Sequence, residues 1–101
     1  MSKVTMIEYP RAYVVIAKTH AKTTEACAAI SSIVTALANW SFIHGGGEQS
    51  LLPGEALVSI PKVPGAAAVY ELAEIVFQGL ADNGEITLKK CKSLGKSKES
   101  V

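Results

Sequence analysis

The chain has 101 residues, 49% of them hydrophobic and 19% charged, enough apolar material for one modest core, which excludes both a two-domain and a disordered reading. Ten Lys and Arg against nine Asp and Glu leave a net charge of +1, and the single arginine, Arg11, gives no basic face of the kind that tracks phosphates, so nucleic acid is not an expected partner. The opening MSKVTMIEYP holds no apolar run of signal-peptide length, and no segment approaches the about 20 apolar residues of a membrane span. Two cysteines, Cys27 and Cys91, without other marks of secretion, point to free thiols in a reducing cytoplasm.

Residues 3–9, KVTMIEY, alternate in the manner of a strand, and Pro10 with its neighbours interrupts them before a second β-rich run, YVVIAKTH, that carries His20 at its end. A long helix is predicted from Thr24 to Phe42, with Thr23 or Thr24 as N-cap and Glu25 favourably placed in the first turn. At 100° per residue its buried arc gathers Ala26, Ile30, Ile33, Val34, Leu37 and Trp40, with Ser32, Thr35 and Asn39 facing away. The stretch HGGGEQSLLPGE, residues 44–55, reads as a glycine-rich surface loop that ends this helix. No Lys-Ser or Lys-Thr follows its glycines, which argues against a phosphate cradle.

ALVSIP, residues 56–61, reads as a third strand, KVPG as a turn, and residues 66–82 as a second helix whose inward stripe is Val69, Leu72, Ala73, Val76, Phe77 and Leu80. Asn83-Gly84 stops that helix, and EITLKKC, residues 85–91, is the last strand. The order ββαβαβ predicts an α+β fold, a small mixed or antiparallel sheet with two helices packed on it. Residues 1–91 are expected to form one domain and residues 92–101 a flexible charged tail.

The chemistry centres on THAKTTEAC, residues 19–27. A cysteine in the first turn of a helix gains thiolate character from the helix dipole, and a nearby imidazole can act as its base, so Cys27 and His20 are the candidate nucleophile and base. On the helical wheel Cys27 stands between Val34 on the buried side and Ser31 on the polar side, shielded yet reachable. The opposing reading of the same residues is a small buried cysteine and a solvated strand-end histidine. His44 lies at the far end of the same helix, about 25 Å from Cys27 at 1.5 Å per residue, and cannot serve it within one chain. Two cysteines and two widely spaced histidines offer no recognised ligand pairing, so neither metal nor cofactor is expected.

The run Cys27-Ala28-Ala29-Ile30-Ser31 with the upstream His20-Ala21 resembles the ribosomal-processing cysteine protease Prp family of bacteria. Its members carry Gly-His-Ala at a strand end and Asp-Ile-Val-Cys-Ala-Ala-Val-Ser at a helix start. In element order the likeness extends over residues 3–91. It implies a cytoplasmic, homodimeric cysteine endopeptidase that trims an N-terminal extension from a ribosomal protein, with phage relatives acting on phage structural proteins. Carried over, Cys27 is the nucleophile and His20 the general base; Ser31 and Thr24, beside them on the helix, are the candidate substrate contacts. The segment between His20 and Cys27 is shorter than the family's and lacks its glycine and its Asp-Ile-Val, which shrinks the wall available to hold a peptide. The alternative on the same scaffold is a non-catalytic interaction protein that associates with itself or with a larger assembly.

Overall fold

The computed structural model describes residues 2–18, 24–46, 48–52 and 54–92, with positions 24–27 described by backbone alone. Its elements are β1 (Ser2–Glu8), β2 (Ala12–Lys18), α1 (Thr24–Ile43), β3 (Gln49–Leu52), β4 (Glu55–Pro61), α2 (Ala66–Asp82) and β5 (Ile86–Lys92). The expected α+β class holds, with one strand more than the sequence reading: β3 lies inside the stretch read as a loop. QSLL is short, and three of its four residues are exposed, so it carries little alternation of its own; its register comes from pairing with β4, Ser50 opposite Leu57 and Leu51 opposite Ala56.

The five strands form one mixed sheet in the order β3-β4-β2-β1-β5, antiparallel throughout except for the β1–β5 pair, which is parallel. This pairing makes β2 parallel to β3 and β4 parallel to β5, so α1 and α2 are both crossovers between parallel strands. The two crossovers leave antiparallel strands and step in opposite directions across the sheet. The strong right-handed preference of such connections then sends both helices to the same face.

The core sits between that face and the helices. Val4, Met6, Val15, Ala17, Val58, Ile60 and Ile86 point inward from the strands to meet Ile30, Val34, Leu37 and Ala38 of α1 and Ala66, Ala73 and Phe77 of α2. The opposite face, with Ile7, Val14, Ile16 and Leu57 at its centre, is covered by neither helix, and these residues are only half-buried.

The helical-wheel reading of α1 is right for Ile30, Val34 and Leu37, while Ile33 and Trp40 lie at the edge of the core and are half-buried. In α2 the expected inward Leu72 is instead 59% exposed. The buried arc there is set by Ala66, Ala73 and Phe77, with Val69 and Leu80 beside it, and Leu72 falls about 120° away from that arc at 100° per residue.

Glycines punctuate both helices. Gly45 takes φ 114° two residues after α1 ends at Ile43, and the Gly46 N–H donates to the Ser41 carbonyl at 2.6 Å, the 6→1 bond of a Schellman stop. These two glycines thus terminate a helix, as expected, and do not open one. Gly65 precedes α2 with φ 93°, and a Cβ there would meet Trp40 Cζ2 at 3.4 Å.

Candidate active site

α1 begins at Thr24, so position 27 lies in its first turn, where backbone N–H groups have no intrahelical acceptor. β2 ends at Lys18, and the connection from sheet to helix is residues 19–23. His20 and the side chains of Thr24, Glu25 and Cys27 lie outside the described residues. The described structure therefore places the helix position of the candidate nucleophile, while its pairing with His20 is not part of what it describes.

One turn further along α1 the described residues form a groove. β3 is fastened to the C-terminal half of α1 by Gln49, whose Nε2 donates to the Ala38 carbonyl at 2.9 Å. From there β3 runs along α1 toward the helix N-terminus, and between them opens a cavity of about 180 Å³. Ile30, Val34, Ala17 and Ala56 give it an apolar lining, Leu51 stands on the β3 side, and Ser31 and Thr35 are exposed on the helix side. A cavity of roughly 150 Å³ with apolar walls holds a benzene ring, so this groove has room for one aromatic or branched side chain.

The groove and position 27 share a helix face. At 100° per residue Ile30, Ser31, Val34 and Thr35 lie about −60°, +40°, −20° and +80° from position 27, which therefore sits near the middle of the arc that lines the cavity. Ser31 and Ile30 are one turn on, about 5 Å along the axis. Glu55 is the charged residue among the lining, and its carboxylate stands 3.9 Å from Lys18 Nζ in an exposed pair that adds little stability.

The other residues singled out in the sequence lie elsewhere. His44 stacks on Trp40 with ring centroids 3.9 Å apart, and its Nδ1–H donates to the Trp40 carbonyl at 2.9 Å, closing the C-terminus of α1. Cys91 is a free, exposed thiol on β5, paired in register with Ile7 on the face away from the helices. Among the described residues no three His, Cys, Asp or Glu side chains gather as metal ligands.

Sequence reasoning missed a polar and aromatic clasp at the opposite end of the sheet. Tyr13 stacks on Tyr70 of α2 with centroids 4.2 Å apart, and Lys62 Nζ lies 4.8 Å over the Tyr13 ring while bonding Glu8 Oε2 at 2.8 Å. The hydrogen bond from Lys62 holds the Glu8 carboxyl below its ordinary range. Burial, assisted by the Glu74 and Glu8 charges, pushes the Tyr70 phenol well above its own. A Lys just after one strand and a Glu at the end of another were the available signals, but only the sheet order makes them neighbours.

No protein-family model matches the sequence, and no curated protein matches it significantly. Solved structures do. SMU.848 from Streptococcus mutans superposes with a TM-score of 0.68 at 17% identity, over 92% of this chain and 96% of its own. An essential ribosomal processing protease Prp from S. aureus, in complex with a covalently linked product peptide, superposes with a TM-score of 0.68 at 17% identity, over 89% of this chain and 99% of its own. The chain has a Prp-like fold. At this level of identity the likeness covers backbone architecture, including the Prp-like order of strands and helices around α1. Among the described residues no helix is long and apolar enough to cross a membrane.

Proposed function

We propose that this protein is a Prp-like cysteine endopeptidase acting in the cytoplasm, with Cys27 as nucleophile and His20 as general base. The observation that carries the reading is the groove along α1, one turn from position 27 and on the same helix face, in a fold shared with a protease whose structure holds a covalently linked product peptide. His20 takes the Cys27 proton, and the thiolate attacks the scissile carbonyl of a bound peptide. The oxyanion forms beside the unpaired N–H groups of the first turn of α1. His20 returns the proton to the departing amine, leaving a thioester that water hydrolyses.

In this reading Ser31, with Thr24 across the first turn, contacts the peptide backbone, and the apolar groove receives one of its side chains. The substrate is the N-terminal extension of a ribosomal or phage structural protein. The domain runs through β5, whose last residue, Lys92, pairs with Glu8 one position beyond the expected boundary, and the residues after it are a tail without a part in the chemistry. Labelling with iodoacetamide near neutral pH tests the assignment: Cys27 is expected to alkylate well before Cys91, and Cys27→Ser to abolish cleavage of a peptide bearing such an extension. Equal, slow labelling of both thiols would overturn it.

The uncovered sheet face supports a homodimer. Ile7, Val14, Ile16 and Leu57 form a continuous apolar centre, with Lys3, Lys18 and Lys89 around it at register positions on the same face. Two copies meeting through these centres would remove them from water and leave the lysines at the rim. Light scattering on the protein and on Val14→Lys is the direct check: a dimer that the substitution dissociates supports the arrangement, and a monomer at all concentrations removes it.

A further inference from the structure

α2 carries a second apolar stripe on the side away from the core. Ala68, Leu72, Ile75 and Gly79 are exposed and spaced 4, 3 and 4 residues apart, so they fall within about 60° of one another, roughly 120–180° from the arc of the buried Ala73 and Phe77. Leu72 and Ile75 are 59% and 62% exposed, whereas Ala73 and Phe77 have almost no exposure. Spacing of 4 and 3 is the seam pattern by which one helix receives another, and the small residues at its two ends let a second backbone come close.

The notch at Gly79 is a second observation. A Cβ at this position would meet no atom of the described residues within 4 Å, and the residue is helical, so glycine costs helix stability without relieving any crowding among those residues. Around it opens a surface groove of about 370 Å³, lined by Ile75 and Gln78 and bordered by Glu71, Glu74, Asp82 and Lys90.

The charges of this groove select the occupant. α2 holds Glu71, Glu74 and Asp82 and no basic residue. Lys90 reaches across from β5 to bond Glu74 at 2.8 Å, so three carboxylates and one ammonium leave the groove with a net charge of −2. A second copy of α2 laid on the stripe in either direction brings carboxylates against carboxylates, and the one cation that comes with it, Lys90, is already bonded to its own Glu74, which disfavours self-pairing here. We propose that this face of α2 docks an amphipathic helix of a partner protein whose apolar seam is flanked by Lys or Arg. A large apolar side chain of that helix seats in the Gly79 notch, and its cations face Glu71 and Asp82. The surface stands apart from the α1 groove and does not depend on the protease reading.

The test uses the full chain and two designed helical peptides with Leu at the seam positions, one flanked by Lys and the other by Glu, with fluorescence anisotropy as the readout. The Lys-flanked peptide is expected to bind at least about tenfold more tightly than the Glu-flanked one, and to weaken as salt is raised. Ile75→Glu should lower its affinity about tenfold, and Glu71→Lys combined with Asp82→Lys should reverse the preference between the peptides. All these positions are exposed, and circular dichroism confirms that the variants fold. Equal binding of both peptides, binding of neither, or binding unaffected by Ile75→Glu overturns the proposal. So does a protein that self-associates through this face and dissociates on Ile75→Glu, which would make a second copy the occupant.

Discussion

Ser41 Oγ donates a 2.7 Å hydrogen bond to the Ser59 carbonyl, tying the last turns of α1 to the middle of β4 at a point where the Ser41 side chain has no exposure to water. The other fully buried serine, Ser2, begins β1 beside Ile86, and its hydroxyl has no partner among the described residues. The two residues have the same chemistry and opposite energetic signs.

Ser41→Ala should therefore destabilise the protein by about 1–2 kcal/mol, since it removes a made bond from a buried hydroxyl and leaves a part-buried carbonyl without that donor. Ser2→Ala removes a hydroxyl that has lost water without replacement, and it should be neutral or stabilising by up to about 1 kcal/mol. Thermal unfolding of both variants checks the contrast, with a shift of about 4–8 °C per kcal/mol for a domain of this size.

A second contrast separates two glycines. Gly65→Ala must hold φ 93°, a left-handed conformation that a side chain strains, with its Cβ in contact with Trp40 Cζ2 at 3.4 Å, so it should cost about 1–2 kcal/mol. Gly79→Ala lies in a regular helix with open space at its Cβ, and should add roughly 0.5–1 kcal/mol. Urea midpoints of the two variants should move in opposite directions.

Filling the α1 groove tests its part in substrate binding. Ser31 and Thr35 are exposed on its wall, so Thr35→Trp can occupy the cavity without disturbing the core. Peptide cleavage should fall at least about tenfold, equivalent to about 1.4 kcal/mol, with the melting temperature nearly unchanged and with Cys27 still alkylated. Unchanged cleavage by this variant would assign the groove no role in binding.

The clasp predicts pH dependence at both ends of the range. Glu8 titrates below its ordinary value in the folded state, chiefly because of the Lys62 hydrogen bond. Its contribution is present above the ordinary carboxylate range and is lost as pH falls through the lowered value. Lys62→Met should flatten the acid limb of the stability profile. Tyr70, raised chiefly by burial, keeps its neutral form when folded, so stability should fall as pH rises past the ordinary tyrosine range. Tyr70→Phe should remove that alkaline loss, as read by denaturant unfolding at stepped pH.

Much of this architecture is legible in local pattern. Ile30, Val34 and Leu37 mark the inward face of α1 because helical period and burial coincide there, and Gly45 with Gly46 ends the helix because positive φ is cheap only for glycine. α2 was harder for a physical reason: it is apolar on two faces. Leu72 belongs to the outer stripe and Phe77 to the inner one, and periodicity alone does not say which faces the sheet. β3 escaped notice because an edge strand of four residues takes its identity from its partner. At the candidate site, Cys27 and its helix position were readable from composition and spacing. The groove beside it was not, because Leu51 and Ala56 come to line one cavity with Val34 only once β3 is paired and Gln49 has fastened it to Ala38.

What the sequence determined by itself was therefore local: where each helix starts and stops, the α+β class, and the residues that place a thiol in the first turn of α1. These follow from backbone preference and from periods of 2 and 3.6, which act within a few residues. Tertiary structure alone decided the parallel β1–β5 pairing, the placing of both helices on one face, the α1 groove, the Glu8–Lys62–Tyr13 clasp and the outward stripe of α2. Each of these joins residues far apart in the chain, and the pairing of strands that brings them together is paid for by burial summed over the whole core.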